Sequence, residues 1–134
     1  MGSIIENEKR QELTKLTITL QGKQGAISIG KNVAKALGVP NYVALRISYK
    51  NKALLLLPCE QKDVMSYKMP HHFMEGRHIS FRIYSLSFVA ELLGSNGLNT
   101  DSTYLLEGLY SDQIGAVIFP METARLMAEE DPKE

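Results

Sequence analysis

The chain has 134 residues, 44% of them hydrophobic, and a formal net charge of zero at pH 7. That length suits one ordinary domain, or two very small units sharing a core. No apolar run approaches the roughly 18 residues that a membrane-spanning helix needs, so no membrane partner is expected, and the single cysteine, Cys59, excludes an intrachain disulfide and a cysteine-based zinc site.

Residues 1–13 are polar and charged, with Ile4, Ile5 and Leu13 as isolated apolar points, and read as a flexible arm. The opening "MGSIIENEKRQEL" lacks the basic head and long apolar core of a secretory leader. A reducing, cytoplasmic location is therefore expected. Residues 14–59 form the first unit. "KLTITL" alternates Leu16, Ile18 and Leu20 with threonines, the period-two pattern of a half-buried strand. "QGKQG" is a turn in which Gly22 and Gly25 are free to adopt positive φ. "AISI" is a second strand ended by Gly30. "KNVAKAL" makes about two helical turns with Val33, Ala36 and Leu37 on one side. Gly38 stands at the C-cap position, and Pro40 prevents continuation. "YVALRISY" alternates again, "KNK" is a tight turn, and "ALLLL" closes a hairpin ended by Pro58. The order is β-β-α-β-β, and a unit this small buries too little surface to stand alone.

Residues 60–120 supply a candidate second copy. An offset of 56 lays "NVAKALG" over "FVAELLG" and Ile27 over Ile83. An offset of 62 lays "ALLLLP" over "GAVIFP", with Pro58 on Pro120. The difference falls in the loop "GSNGLNTDST". "YKMPHHFMEGRHISFRI" does not cleanly provide the copy's first strand. Residues 121–134 read as a short C-terminal helix, "METARLMAEE", and an acidic tail. The fold class is mainly β with short helices, a barrel with a degenerate second copy in the same chain.

The zero net charge hides an asymmetry. From Leu13 to Cys59 there are seven bases and no acid, whereas from Glu60 onward there are six bases and twelve acids. Such a division points the first half toward an anion. Lys31 and Lys35 are four apart and share a helix face. As like charges they cost about 0.2–0.5 kcal/mol, and Lys31 near the helix start costs about 0.3–1 kcal/mol more. Phosphate groups would reverse both signs. Lys23 sits in the glycine turn, and Gln24 and Asn32 carry the amides that read base edges.

Catalysis finds little support. His71 and His72 are adjacent and on a strand would point to opposite faces, so one of them with His78 and Glu75 could ligate a metal in principle, but a loop of ordinary histidines is the expected reading. There is no phosphate-binding loop, nucleophile elbow or HExxH. No enzyme activity, cofactor or metal is expected.

"GAISIGKNVAKALGVPNYVALRI" through "ALLLLP" resembles the AbrB family of swapped-hairpin domains, whose relatives include MazE- and MraZ-type barrels. The family pattern runs Gly-Arg-Ile-x-Ile-Pro-Lys, then a helix ending Leu-Gly, then a hairpin ending Leu-x-Pro. Gly25, Ile27, Ile29, Lys31, Val33, Leu37, Gly38 and Val39 fit it. Ala26, Gly30 and Ala34 stand at the family's Arg, Pro and second Arg positions, while Arg82 occupies the first Arg position of the second copy. The resemblance implies interleaved hairpins and a transcriptional regulator that binds double-stranded DNA, as a homodimer or with two copies in one chain. The DNA-contacting residues would be Lys23, Gln24, Lys31, Asn32, Lys35, Arg46 and Arg82. The alternative is an antitoxin or interaction module whose acidic second half holds a basic, toxin-like protein.

Overall fold

A computed structural model describes residues 16–63, 65–70, 73–77 and 79–127. The expected N-terminal arm, the tail beyond Met127 and all three histidines lie outside the described residues. The first unit follows the expected order: β1 (Leu16–Gln21), β2 (Ala26–Gly30), helix α1 (Lys31–Ala36), β3 (Tyr42–Ser48) and β4 (Ala53–Cys59). Alternation determines the strand faces. Leu16, Ile18 and Leu20 point inward and are buried, while Thr17 is exposed. Helix α1 buries Val33, Ala34 and Leu37, so Ala34 takes the place expected for the half-buried Ala36. It ends at Gly38, whose φ of +83° is left-handed. The Gly38 N–H donates to the Lys35 carbonyl and the Val39 N–H to that of Ala34, the two bonds of a Schellman cap.

The second half has β5 (Ser66–Lys68), a 3₁₀ turn at Phe73–Glu75, β6 (Ser80–Tyr84), helix α2 (Leu86–Ser95), β7 (Thr103–Ser111) and β8 (Ala116–Pro120). The predicted C-terminal helix does not form over its described part. Met121–Thr123 is a 3₁₀ turn, and Arg125–Leu126 is a short strand, β9, paired with β7. Side-chain bonds favour this path. The Thr123 hydroxyl donates to the Pro120 carbonyl at 2.7 Å and accepts the Glu107 N–H at 3.1 Å, and Arg125 pairs with Glu107 at 2.9 Å.

The strands form one antiparallel, nearly closed, barrel-like sheet in the order β5-β3-β4-β8-β7-β1-β2-β6, with β9 beside β7. The pairing has an approximate two-fold pattern. Exchanging β1 to β4 with β5 to β8 turns β1·β7 into β5·β3 and β3·β4 into β7·β8, and maps β2·β6 and β4·β8 onto themselves. Ile27 lies opposite Ile83, 56 positions on, where the axis crosses β2·β6. At the other crossing Leu55 lies opposite Ile118, 63 positions on. The hairpins Ser48–Ala53 and Ser111–Ala116 share that spacing, so the offset of the later strands is 63 and not the 62 suggested by matching prolines. Among the ladders of β1 to β8, only β1·β2 has no counterpart. β5 spans only three residues, and residues 69–79 separate it from β6 where a tight turn joins β1 to β2. The barrel's opening therefore falls between β5 and β6. Phe73 is buried nearby, edge-on to Phe81 with centroids 4.9 Å apart.

Phe119, Ile18, Ile27, Leu45, Leu54 and Leu106 are among the fully buried side chains of the barrel interior, closed over by Val89, Leu92 and Leu93 of α2. Two glycines permit close approach. A Cβ at Gly108 of β7 would collide with the Ile118 carbonyl oxygen and lie 2.7 Å from the Phe119 ring. Gly22 does not use the positive φ expected of it. Its N–H donates to the Ser102 carbonyl at 2.9 Å, and a Cβ there would run into the Thr100 carbonyl.

Candidate nucleic-acid interface

The outward face of the β2·β6 ladder is made of small and polar residues. Ser28 lies opposite Arg82, Gly30 opposite Ser80, and Ala26 opposite Tyr84. The Ser28 hydroxyl donates to that of Ser80 at 3.2 Å. Helix α1 starts where β2 ends, beside Ser80, and α2 starts where β6 ends, beside Gly25 and Ala26. Each end of the ladder thus carries the first turn of one helix, as the approximate two-fold requires.

Burial of Val33, Ala34 and Leu37 turns Lys31, Asn32 and Lys35 to the outside of α1. Asn32 and Lys35 are exposed and Lys31 is half-buried. The Lys31 ammonium donates to the Gly76 carbonyl at 2.8 Å and lies 6.0 Å from the centre of the Phe73 ring. This anchors the long side chain and leaves donors of its ammonium group for another acceptor. Arg77, the next residue after Gly76, is exposed. A shallow groove of about 310 Å³, lined by Thr17, Gly30, Lys31, Asn32 and Ile79, runs along the start of the helix. Ile79 at its rim is 82% exposed, more than any other large apolar side chain among the described residues. Glu60 and Glu75 line a different cavity of about 610 Å³ with Tyr42, Met69 and Pro70.

Arg82 sits one register step from the Ile27·Ile83 crossing, toward the Gly30·Ser80 end. It therefore stands on the α1 side of the ladder, with the two helix lysines, although it belongs to the other half of the chain. Lys23 and Gln24 are exposed in the turn at the far end of β2, where Gly25 packs on Leu86 of α2. Arg46 is not part of this face. It lies in the row Arg46–Leu55–Ile118–Leu109, across the barrel at the β4·β8 crossing, and its guanidinium donates to the Leu45 carbonyl at 2.8 Å. The structure so starts α1, with Lys31, Asn32 and Lys35, at the Gly30·Ser80 end of the ladder toward which Arg82 lies, keeps Lys23 and Gln24 at the ladder's other end, and separates Arg46.

Sequence reasoning missed Ser28, Ser80, Thr17 and Arg77. Alternation along "AISIG" marks Ser28 as outward, but nothing local reveals that Ser80 and Arg82 lie beside it. On α2 the residue equivalent to Lys35 is Glu91, which accepts a hydrogen bond of 2.9 Å from the Tyr49 hydroxyl. That bond, together with the Glu91 charge, holds the Tyr49 phenol above its ordinary value of 10.0. Among the described residues no three His, Cys, Asp or Glu side chains gather as metal ligands, and no helix is long and apolar enough to cross a membrane. The chain matches no protein-family model, no curated protein and no solved structure.

Proposed function

We propose that this chain is a DNA-binding transcriptional regulator, built as an AbrB-like swapped-hairpin barrel with both copies in one polypeptide. Equivalent strands pair with each other at two places, β2 with β6 and β4 with β8, as two interleaved copies of one β-β-α-β-β unit would. The observation that carries the functional reading is that α1, with Lys31 and Lys35, starts at the Gly30·Ser80 end of the β2·β6 ladder, the end toward which Arg82 lies, next to the small residues Ser28, Gly30 and Ser80. Side chains this small let a phosphate backbone come close. Lysines bind phosphate as point charges, and arginine adds a planar fork that suits phosphate or the guanine edge. Phosphate contacts supply affinity and register, and Gln24, Asn32 or Arg82 supply any base readout.

The test is titration of a fluorescent duplex with wild type and Lys31→Glu/Lys35→Glu. Wild type should bind in a salt-dependent way and the variant should not. Equal binding by both proteins, or none by either, refutes the assignment.

A further inference from the structure

The two halves of the β2·β6 face are related by the approximate two-fold, yet they differ in charge position by position. At the offset of 56, Lys31 corresponds to Ser87, Lys35 to Glu91, Lys23 to Ile79 and Arg82 to Ala26. No cation on this face has a cationic counterpart. The register then sorts them. Lys31 and Lys35 on α1, Arg77 beside Gly76, and Arg82 one step from the axis all fall on the α1 side, with Glu75, before Gly76, as the acid there. The α2 side of the ladder holds Lys23 in the β1–β2 turn and, on α2, the acid Glu91, with Leu86 61% exposed, while Lys50 and Lys52 stand on the β3–β4 hairpin beside Tyr49, the partner of Glu91. Glu91 is drawn to the Tyr49 hydroxyl, and its carboxylate would repel a phosphate at the position where α1 presents Lys35.

We infer that the chain reads a non-palindromic duplex, with one flank of a nearly symmetric scaffold engaging the backbone through Lys31, Lys35 and Arg82, and the α2 flank left off the DNA. This deepens the DNA-binding reading and rests on it. A symmetric scaffold presents two equal half-sites to an inverted repeat. Here the second set of phosphate contacts is missing, and a carboxylate stands in place of one of them. Arg82 is the residue that makes the asymmetry more than a silent second copy, because it adds to the flank of the other half.

The experiment is selection from a duplex pool with a randomised core, followed by hydroxyl-radical footprinting and salt titration on the enriched sequence. Three proteins are compared: wild type, Lys31→Ser/Lys35→Ser, and Ser87→Lys/Glu91→Lys, each checked by circular dichroism for an unchanged fold. Wild type should enrich one asymmetric motif and protect backbone to one side of its centre. Lys31→Ser/Lys35→Ser should lose the enrichment. Ser87→Lys/Glu91→Lys should protect both sides and steepen the log–log salt slope by about 1.8, two phosphate contacts at about 0.9 each. If Ser87→Lys/Glu91→Lys is less well folded, Glu91→Gln alone should still extend protection toward the α2 side. An inverted repeat enriched by wild type overturns the inference while leaving DNA binding standing, as does a graft that changes neither slope nor footprint. Absence of any duplex binding by wild type overturns the DNA-binding reading itself.

Discussion

Replacing Gly108 by alanine tests the barrel at its tightest point. The added Cβ would meet the Ile118 carbonyl oxygen below van der Waals contact and lie 2.7 Å from the Phe119 ring. A rotamer change can move the ring, but the carbonyl belongs to the β8 backbone, so β8 must move away from β7. The ladder between them pairs Leu109 with Ile118, Tyr110 with Val117 and Ser111 with Ala116, and Phe119 fills the barrel interior with no exposed surface. Overpacking of this kind costs about 1–3 kcal/mol, and a weakened ladder bond adds about 1 kcal/mol. A loss of about 3 kcal/mol lowers the urea midpoint by about 1.5 M at a slope near 2 kcal/mol/M. Gly94→Ala is the companion with the opposite sign. Gly94 lies inside α2, where an added Cβ would have the Thr100 methyl 3.9 Å away, an ordinary contact. Alanine there should stabilise by about 0.5–1 kcal/mol through helix propensity. Urea unfolding of the three proteins should order the midpoints Gly94→Ala, wild type, Gly108→Ala. An unchanged midpoint for Gly108→Ala would show that β7 and β8 do not meet this closely.

The Tyr49 phenol should titrate above 10.0 in the folded chain, and Glu91→Gln should bring it back toward that value, as read by NMR of ring-labelled tyrosine. A pKa raised by folding makes a contribution that is fully present below the unfolded value and is lost as pH rises through the folded one. The stability difference between wild type and Glu91→Gln should therefore shrink above about pH 10. Val39 has a φ of +49° and is 48% exposed, so a β-branched residue holds a left-handed backbone with little burial in return. Val39→Asn should stabilise by about 1 kcal/mol, raising the melting temperature by about 3–5 °C in calorimetry. A lower melting temperature would mean that the valine side chain matters more than the strain.

The first unit was largely legible because its information is local. Thr17 and Thr19 alternate with buried Leu16, Ile18 and Leu20, and Gly38 with Pro40 punctuates a helix whose cap has the expected form. The second unit was less so. β5 is three residues long, too short for any periodicity, and is held by pairing with Tyr42 to Ala44 of β3. The stretch after Pro120 has apolar spacing that suits a helix, but the Thr123 hydroxyl and the edge of β7 compete for its backbone and win. The candidate site divides in the same way. Lys31, Asn32 and Lys35 share a face by helical spacing alone. The approach of Arg82, the remoteness of Arg46 and the Gly76 carbonyl that anchors Lys31 are set by strand register over dozens of residues, which no local pattern encodes.

The central claim, that one face of the β2·β6 ladder holds a DNA backbone, is tested most directly by fluorescence anisotropy with a duplex at a series of salt concentrations. Three phosphate contacts, from Lys31, Lys35 and Arg82, predict a log–log slope near −2.7, and each of Lys31→Ser, Lys35→Ser and Arg82→Ser should reduce its magnitude by about 0.9. Arg46→Ser, on the far side of the barrel, should leave the slope unchanged. A slope insensitive to the three substitutions, or a wild-type chain that binds no duplex even at low salt, would contradict the account.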